Sequence, residues 1–115
     1  MNNKYDWICD YSEGFAAVML NKKWGFINKE GKEIFPLKYD LVSYFENGFA
    51  RVKLNGKWGF IDLQGKEICQ LKYDDALDFE NGFAKVFLDE ELYIDGNGIE
   101  YDKIKIEKYV RRNYD

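Results

Sequence analysis

Histidine is absent from this chain of 115 residues, and proline occurs once, at Pro36. Without imidazole there is no Ser-His or Cys-His nucleophile pair, no histidine general base and no histidine-ligated metal. Catalysis would fall to carboxylates, Tyr, Lys or Cys, and the chain reads as non-enzymatic and without a cofactor. With so little proline, the turns must be made by Gly, Asn and Asp. Cysteine is scarce as well. Cys9 and Cys69 lack metal-ligand spacing and fall at unmatched positions of an internal repeat, opposite Ser43 and Phe35, so they read as reduced, buried, small hydrophobes. No apolar run approaches the ~20 residues of a membrane span. The short run from Phe15 to Leu20 follows Asp6, Asp10 and Glu13, where a secretory signal carries positive charge. The expectation is a cytoplasmic protein with no membrane partner. Basic charge is also in deficit, with 17 Lys and Arg against 21 Asp and Glu and a net charge of −4. Nucleic-acid binding needs clustered cations, so it is not expected; a basic protein partner suits the charge.

What the chain does have is apolar and aromatic material, 46% and 18% of its residues, which rules out intrinsic disorder. It also repeats itself. Gly14-Phe15-Ala16-Ala17-Val18-Met19-Leu20-Asn21-Lys22-Lys23-Trp24-Gly25-Phe26-Ile27 returns as Gly48-Phe49-Ala50-Arg51-Val52-Lys53-Leu54-Asn55-Gly56-Lys57-Trp58-Gly59-Phe60-Ile61, an offset of 34 residues. A weaker copy, Gly82-Phe83-Ala84-Lys85-Val86-Phe87-Leu88, follows at the same offset of 34. A fixed period of this size marks a repeat array, whose units are too small to bury their apolar faces alone and must stack.

Phe49 to Leu54 alternates Ala50, Val52 and Leu54 against Arg51 and Lys53, the pattern of a half-buried strand. Asn55-Gly56 is a type I′ hairpin turn signal, and Lys57 to Asp62 forms the return strand. Asp62-Leu63-Gln64-Gly65 has the chemistry of a type I turn closed by a left-handed Gly, leading to a third strand at Lys66-Glu67-Ile68. The first unit uses Asn21-Lys22 and Asn28-Lys29-Glu30-Gly31 in the same places.

Lys4-Tyr5-Asp6, Lys38-Tyr39-Asp40 and Lys72-Tyr73-Asp74 open the linking segments. Alternate apolar residues after them (Tyr5, Trp7, Cys9, Tyr11) suggest a short fourth strand, while Asp74-Asp75-Ala76-Leu77 also suits a helical turn. Gly59 leaves its face open for an aromatic of a neighbouring strand to lie over the backbone. Trp58 and Phe60 share the other face, and Trp24 and Trp58 are expected to be enclosed between layers, so that Trp58→Ala unfolds the domain. In the third unit Glu91-Leu92-Tyr93-Ile94-Asp95 is one residue short, and the slip must be absorbed at Asp89-Glu90 or in a bulge.

These lines resemble the bacterial WG-repeat (KWG) family over roughly residues 4–100, with Leu92-Tyr93 standing in place of the signature pair in the third copy. The resemblance implies a β-rich repeat protein and brings no catalytic residues. The expected fold is all-β: three tandem meander units at about 4–37, 38–71 and 72–102, then a C-terminal capping strand or tail over 103–115. Lys103, Lys105 and Lys108, with Ile104 and Ile106 interleaved, read as an edge strand guarded by lysines. An open twisted antiparallel array is favoured over a closed pseudo-threefold trefoil-like barrel, since a ring has no end to cap.

Asp95-Gly96-Asn97-Gly98 looks like the start of a calcium loop, yet its counterpart at Asp62 is a hairpin turn and it reads as the same. The candidate binding residues lie in two groups. Arg51, Lys53, Lys85 and Phe87 occupy strand positions that vary between units, a face that either presents a binding surface or packs on the next unit. Asp75, Asp78, Asp89, Glu90 and Glu91 are the acidic positions, suited to docking a basic partner or simply solvated. A carboxylate pair in glycosidase chemistry is a remote third reading. The chain therefore reads as a protein-binding module, a monomer or a homodimer joined through an edge strand, of a size and charge that suit an immunity or inhibitor protein against a basic toxin. The alternative is a carbohydrate or cell-wall binding module.

Overall fold

The computed structural model describes residues 4–114. The first unit is a four-stranded antiparallel sheet in chain order: β1 (Trp7–Ser12), β2 (Phe15–Leu20), β3 (Lys23–Ile27) and β4 (Glu33–Tyr39). The second contains β5 (Leu41–Val42), β6 (Phe49–Leu54) and β7 (Lys57–Asp62). Its last strand is reduced to two bridges, Ile61 with Glu67 and Trp58 with Tyr73. The third has β8 (Asp75–Glu80), β9 (Phe83–Leu88), β10 (Glu90–Asp95) and β11 (Glu100–Tyr101), followed by helix α1 (Lys103–Tyr114). The three sheets stack into an open array of 52 × 27 × 18 Å, and the closed trefoil-like barrel does not form.

The turns follow their chemistry. Asn21 and Lys22 both take positive φ, 54° and 68°, as do Asn55 and Gly56, 54° and 81°, which is the type I′ requirement. Asp62 Oδ1 accepts from the Gln64 and Lys66 amides at 2.9 and 3.0 Å. Asp95 Oδ1 does the same for Asn97 and Ile99 at 2.9 and 3.1 Å, so the Asp95 loop is built as the same Asx-type hairpin turn. The missing residue of the third unit is absorbed at Asp89, whose φ is 63°. Leu88 pairs there with Glu90, whereas Leu54 pairs with Lys57. Glu91 and Leu92 thus take the register places of Trp58 and Gly59, and the signature pair is replaced by Glu91-Leu92 rather than by Leu92-Tyr93.

The linking segments are strands, not helical turns, but their alternation is broken. A bulge lies between Ile8 and Tyr11 and another between Ala76 and Phe79. The bulge leaves Ala76 and Phe79 buried and Leu77 exposed, so plain alternation does not hold along this strand. The second unit slips by one residue as well, since Val42 pairs with Val52 but Glu46 with Phe49, and the buried ring after each slip makes the main contact between units. Phe45 inserts among Phe15, Phe26 and Phe35 of the first unit, with ring centroids 5.1, 4.8 and 6.1 Å away. Phe79 sits 4.0 Å from Phe49 and 5.0 Å from Phe60 of the second unit. Apart from the stacked Phe49–Phe79 pair, these rings are tilted or edge-on, arrangements that are favourable beyond their area burial.

At each seam the Ala-x-Val row of the later unit packs against the Phe row of the earlier one. Ala50, Val52 and Ile61 join Ala17, Phe26 and Phe35 in one core; Ala84, Val86 and Ile94 join Phe60 in the next. Polar clips cross the same seams. Glu13 accepts from the Asn47 and Gly48 amides at 2.8 and 2.9 Å, and Asp40 binds Lys23 at 2.6 Å and the Asn55 amide at 2.9 Å.

The Lys-Tyr-Asp motif has a structural task. Lys38 and the Tyr39 hydroxyl both bind Glu67, at 3.0 and 2.6 Å, as Lys4 and Tyr5 bind Glu33 and Lys72 and Tyr73 bind Glu100. Burial and the bond to its carboxylate raise the pKa of each tyrosine, Tyr5 to about 12. The bonds from Lys4 and Tyr5 lower the carboxyl pKa of Glu33, and those from Lys72 and Tyr73 that of Glu100. Partial burial opposes the same effect at Glu67, where the bonds from Tyr39 and Lys38 nonetheless lower its pKa.

Four expectations are corrected. Residues 103–114 form α1, not a capping edge strand: Asp102 caps the helix by accepting from the Lys105 amide at 2.8 Å, and the half-buried Ile106 and Tyr109 recur at helical spacing. Gly59 is covered by a leucine, not an aromatic; a Cβ there would lie 2.9 Å from Leu71, and one at Gly25 would lie 3.0 Å from Leu37. Trp24 and Trp58 are half-buried at the seam edges, and the enclosed rings are Phe26 and Phe60. Cys9 and Cys69 are free, as expected, but half-buried and not buried.

Candidate interaction groove

Because Trp24 and Trp58 hang at the edges of the two seams, both line one cleft of about 310 Å3, together with Val42, Tyr44, Glu46, Arg51 and Asp78. Each tryptophan is placed by its hairpin: Trp24 pairs with Met19 and Trp58 with Lys53. The guanidinium of Arg51 lies 5.7 Å from the centre of the Trp58 ring, and the ammonium of Lys53 lies 5.5 Å from it, both within cation–π range. Arg51 also reaches across the second seam. Its Nε stands 2.9 Å from Asp78 Oδ1, an ion pair whose N–H is not aimed along the contact, and its Nη1 donates to the Ala76 carbonyl at 3.2 Å.

The Arg51–Asp78 pair forms one wall of a second depression of about 430 Å3, lined further by Leu77, Glu80, Phe83, Lys85 and Tyr93. The two depressions thus make one groove, with aromatic walls in its first half and alternating charge in its second. Tyr44, 50% exposed, stands at the mouth of the first.

The varying strand face is not one continuous surface. In the first two units it faces the seam: Ala17 belongs to the first core, and Arg51 is committed to Asp78. In the third unit Lys85 and Phe87 point toward the end of the array. Lys85 lies 3.6 Å from Glu91 and 5.9 Å from the Tyr93 ring centre, and Phe87 is half-buried. The acidic positions are dispersed as well. Asp74 pairs with Lys57, and Asp78 with Arg51. Asp75 accepts from the Ala76 amide at 2.9 Å and sits opposite Phe87. Glu91 accepts from the Tyr93 hydroxyl at 2.8 Å, and Asp89 and Glu90 are exposed in the tight turn. Among the described residues no three His, Cys, Asp or Glu side chains converge as metal ligands.

Of the candidate residues, the structure joins Arg51 to Asp78 and Lys85 to Glu91, and it places Lys53 beside Arg51 on Trp58. Sequence reasoning missed Trp24, Tyr44 and Trp58 as groove residues, because recurrence marked the tryptophans as scaffold. A legible signal was the pairing of each Trp with a cation or Met two strand positions before the turn.

The family model for a WG containing repeat matches residues 4–24, 24–58 and 58–91 in tandem. No curated protein and no solved structure matches the chain. With the matched segments covering most of its length and the meanders stacked as described, this chain belongs to the WG-containing repeat family.

Proposed function

We propose that the chain is a non-enzymatic module that binds another protein, taking an extended segment of it into the groove beside Trp24 and Trp58. The observation that carries this is the groove itself: two half-buried indoles and an exposed tyrosine next to a paired guanidinium and carboxylate. Aromatic and Arg side chains in partly desolvated depressions are the usual anchors of protein interfaces. Glu46, Asp78, Glu80 and Glu91 along or beside the groove, with a net charge of −4, favour a basic segment. That preference suits an immunity or inhibitor protein acting on a basic toxin, in the cytoplasm. A glycan ligand fits less well, because sugar stacking needs a bare aromatic face and the Trp58 ring already carries Arg51 and Lys53.

The test is photo-crosslinking from a benzoyl-phenylalanine placed at Tyr44, set against the same probe at Leu63, which is exposed outside the groove. The expected result is a basic protein captured from Tyr44 alone and lost when Asp78→Lys and Glu46→Lys are added. Capture that ignores those charge reversals, or equal capture from both positions, would refute the reading.

A further inference from the structure

Both internal seams use one set of ring and glycine positions, and among the described residues their first-unit counterparts are open, while the Ala16, Val18 and Ile27 row there is already buried with Tyr5 and Leu37 against it. Phe45 and Phe79 are the inserted rings, and the residue at their place in the first unit is Tyr11, 47% exposed, its hydroxyl on the Asn28 carbonyl at 2.9 Å. Gly65 lies against Phe35 and Gly98 against the Ile68 carbonyl, so closely that a Cβ would come within 2.0 and 1.8 Å, whereas Gly31 in the first unit has nothing within 4 Å. The buried Ala76 of the third unit corresponds to Ile8, which is 45% exposed. Tyr5, Ile8, Tyr11, Ile27 and Gly31 together line a depression of about 480 Å3.

The far end of the array shows the complementary half. Phe83 and Tyr93 hold the register places of Phe49 and Phe60, the rings that receive Phe79. Tyr109 of α1 packs on the first of these rings, 5.1 Å from Phe83, and reaches Tyr101 at 5.9 Å as its second ring contact. The helix does so with few anchoring residues: Ile106 and Tyr109 are half-buried, while Ile104 and Val110 are 66% and 43% exposed. Tyr109 therefore takes the part of the next unit's inserted ring.

We propose that the first-unit face around Tyr11 is an assembly surface whose occupant is the third unit of a second copy of this chain, and that α1 is the detachable cap that withholds that third unit. When α1 lifts, Tyr11 of one copy enters the Phe83 seat of the next, extending the array head to tail with the geometry of its own seams. Such a contact is heterologous and does not close on itself, so it grows chains rather than dimers. The first-unit surface is separate from the groove, whereas the third-unit seat shares Phe83 and Tyr93 with the groove's second depression; the test below reads the mass of the chain alone and needs no groove ligand.

The test is light scattering on the full-length chain across a concentration series, with circular dichroism to establish folding. Tyr109→Asp is expected to keep the β spectrum and to at least double the apparent mass as concentration rises. Adding Tyr11→Asp and Ile8→Asp to it is expected to restore the mass of the single chain. Tyr109→Ala is the milder second variant and is expected to show the same trend. A folded Tyr109 variant that stays a single chain overturns the proposal. So does association that survives the changes at Tyr11 and Ile8, since exposed apolar surface alone would then be the cause. Loss of the β fold in both Tyr109 variants overturns it as well, because α1 would be an integral part of the core and not a detachable cap.

Discussion

The second and third units share one strand plan but differ where their outward faces meet the next layer. The second carries Trp58-Gly59, with Leu71 folded over the glycine and Phe60 ready to receive Phe79. The third has Glu91-Leu92 in those places and a two-residue β11 running into α1. The difference shows what the signature pair does. Gly59 makes room for Leu71, which lies between the two bridges that remain of the unit's last strand; in the third unit Leu92 stands in the glycine's place and packs against the core of Val86 and Ile94. Trp58 flanks a seam that another unit must join, and at the capped end a glutamate replaces it. The pair stands beside each of the two internal seams and is absent from the unit that α1 covers.

The largest effects separate seams from ends. Phe45→Ala and Phe79→Ala each remove a buried ring from an inter-unit cluster and are expected to cost about 3–5 kcal/mol by urea unfolding. Tyr11→Ala, at the equivalent but open position, is expected to cost less than about 1 kcal/mol. Equal losses at all three would erase the distinction. Leu92→Ala comes next, with an expected loss of about 2 kcal/mol, since its side chain is half-buried in the third unit's core. A silent Leu92 would mean that the space above Val86 is filled by something else.

The ladder of Glu33, Glu67 and Glu100 gives a pH signature common to all units. Their carboxyl pKa values are lowered in the fold from an ordinary 4.5, so their stabilisation is full above pH 4.5 and is lost as the pH falls through the lowered values. The tyrosines run the other way. Tyr5, Tyr39 and Tyr73 have raised pKa values, so their contribution is complete below pH 10 and fades as the pH climbs through the folded values. Thermal melts against pH are expected to fall at both extremes, and Glu67→Gln should flatten the acid side; an unchanged acid limb would contradict the assignment. Smallest is Asp78→Asn. Its pair with Arg51 is half exposed, and its loss is expected to cost under about 1 kcal/mol while sparing the seam.

Much of this was legible in the residues. The period, the type I′ turns and the Ala-x-Val strands are local patterns, and local patterns survive into the structure. The bulges were not legible, because shifting a strand by one residue leaves its composition unchanged yet puts Ala76 rather than Leu77 on the buried face with Phe79. The C-terminal helix was hidden for a related reason: Ile104 and Ile106 alternate as a strand would, while the helical contact rests on Ile106, Tyr109 and the cap at Asp102. The groove was missed because its tryptophans serve the scaffold and line the cleft at once.

The central claim is that the second and third units are each seated on the one before, and that the matching positions Ile8, Tyr11 and Gly31 of the first unit are open among the described residues. The most direct measurement is urea unfolding of Gly31→Ala beside Gly65→Ala. Both glycines have φ near 80°, so the backbone strain of alanine is shared, and only Gly65 has a ring of the preceding unit against it. The account predicts a loss of about 1 kcal/mol at Gly31, from strain alone, and at least about twice that at Gly65, from strain and overpacking. Equal losses at the two positions would contradict it.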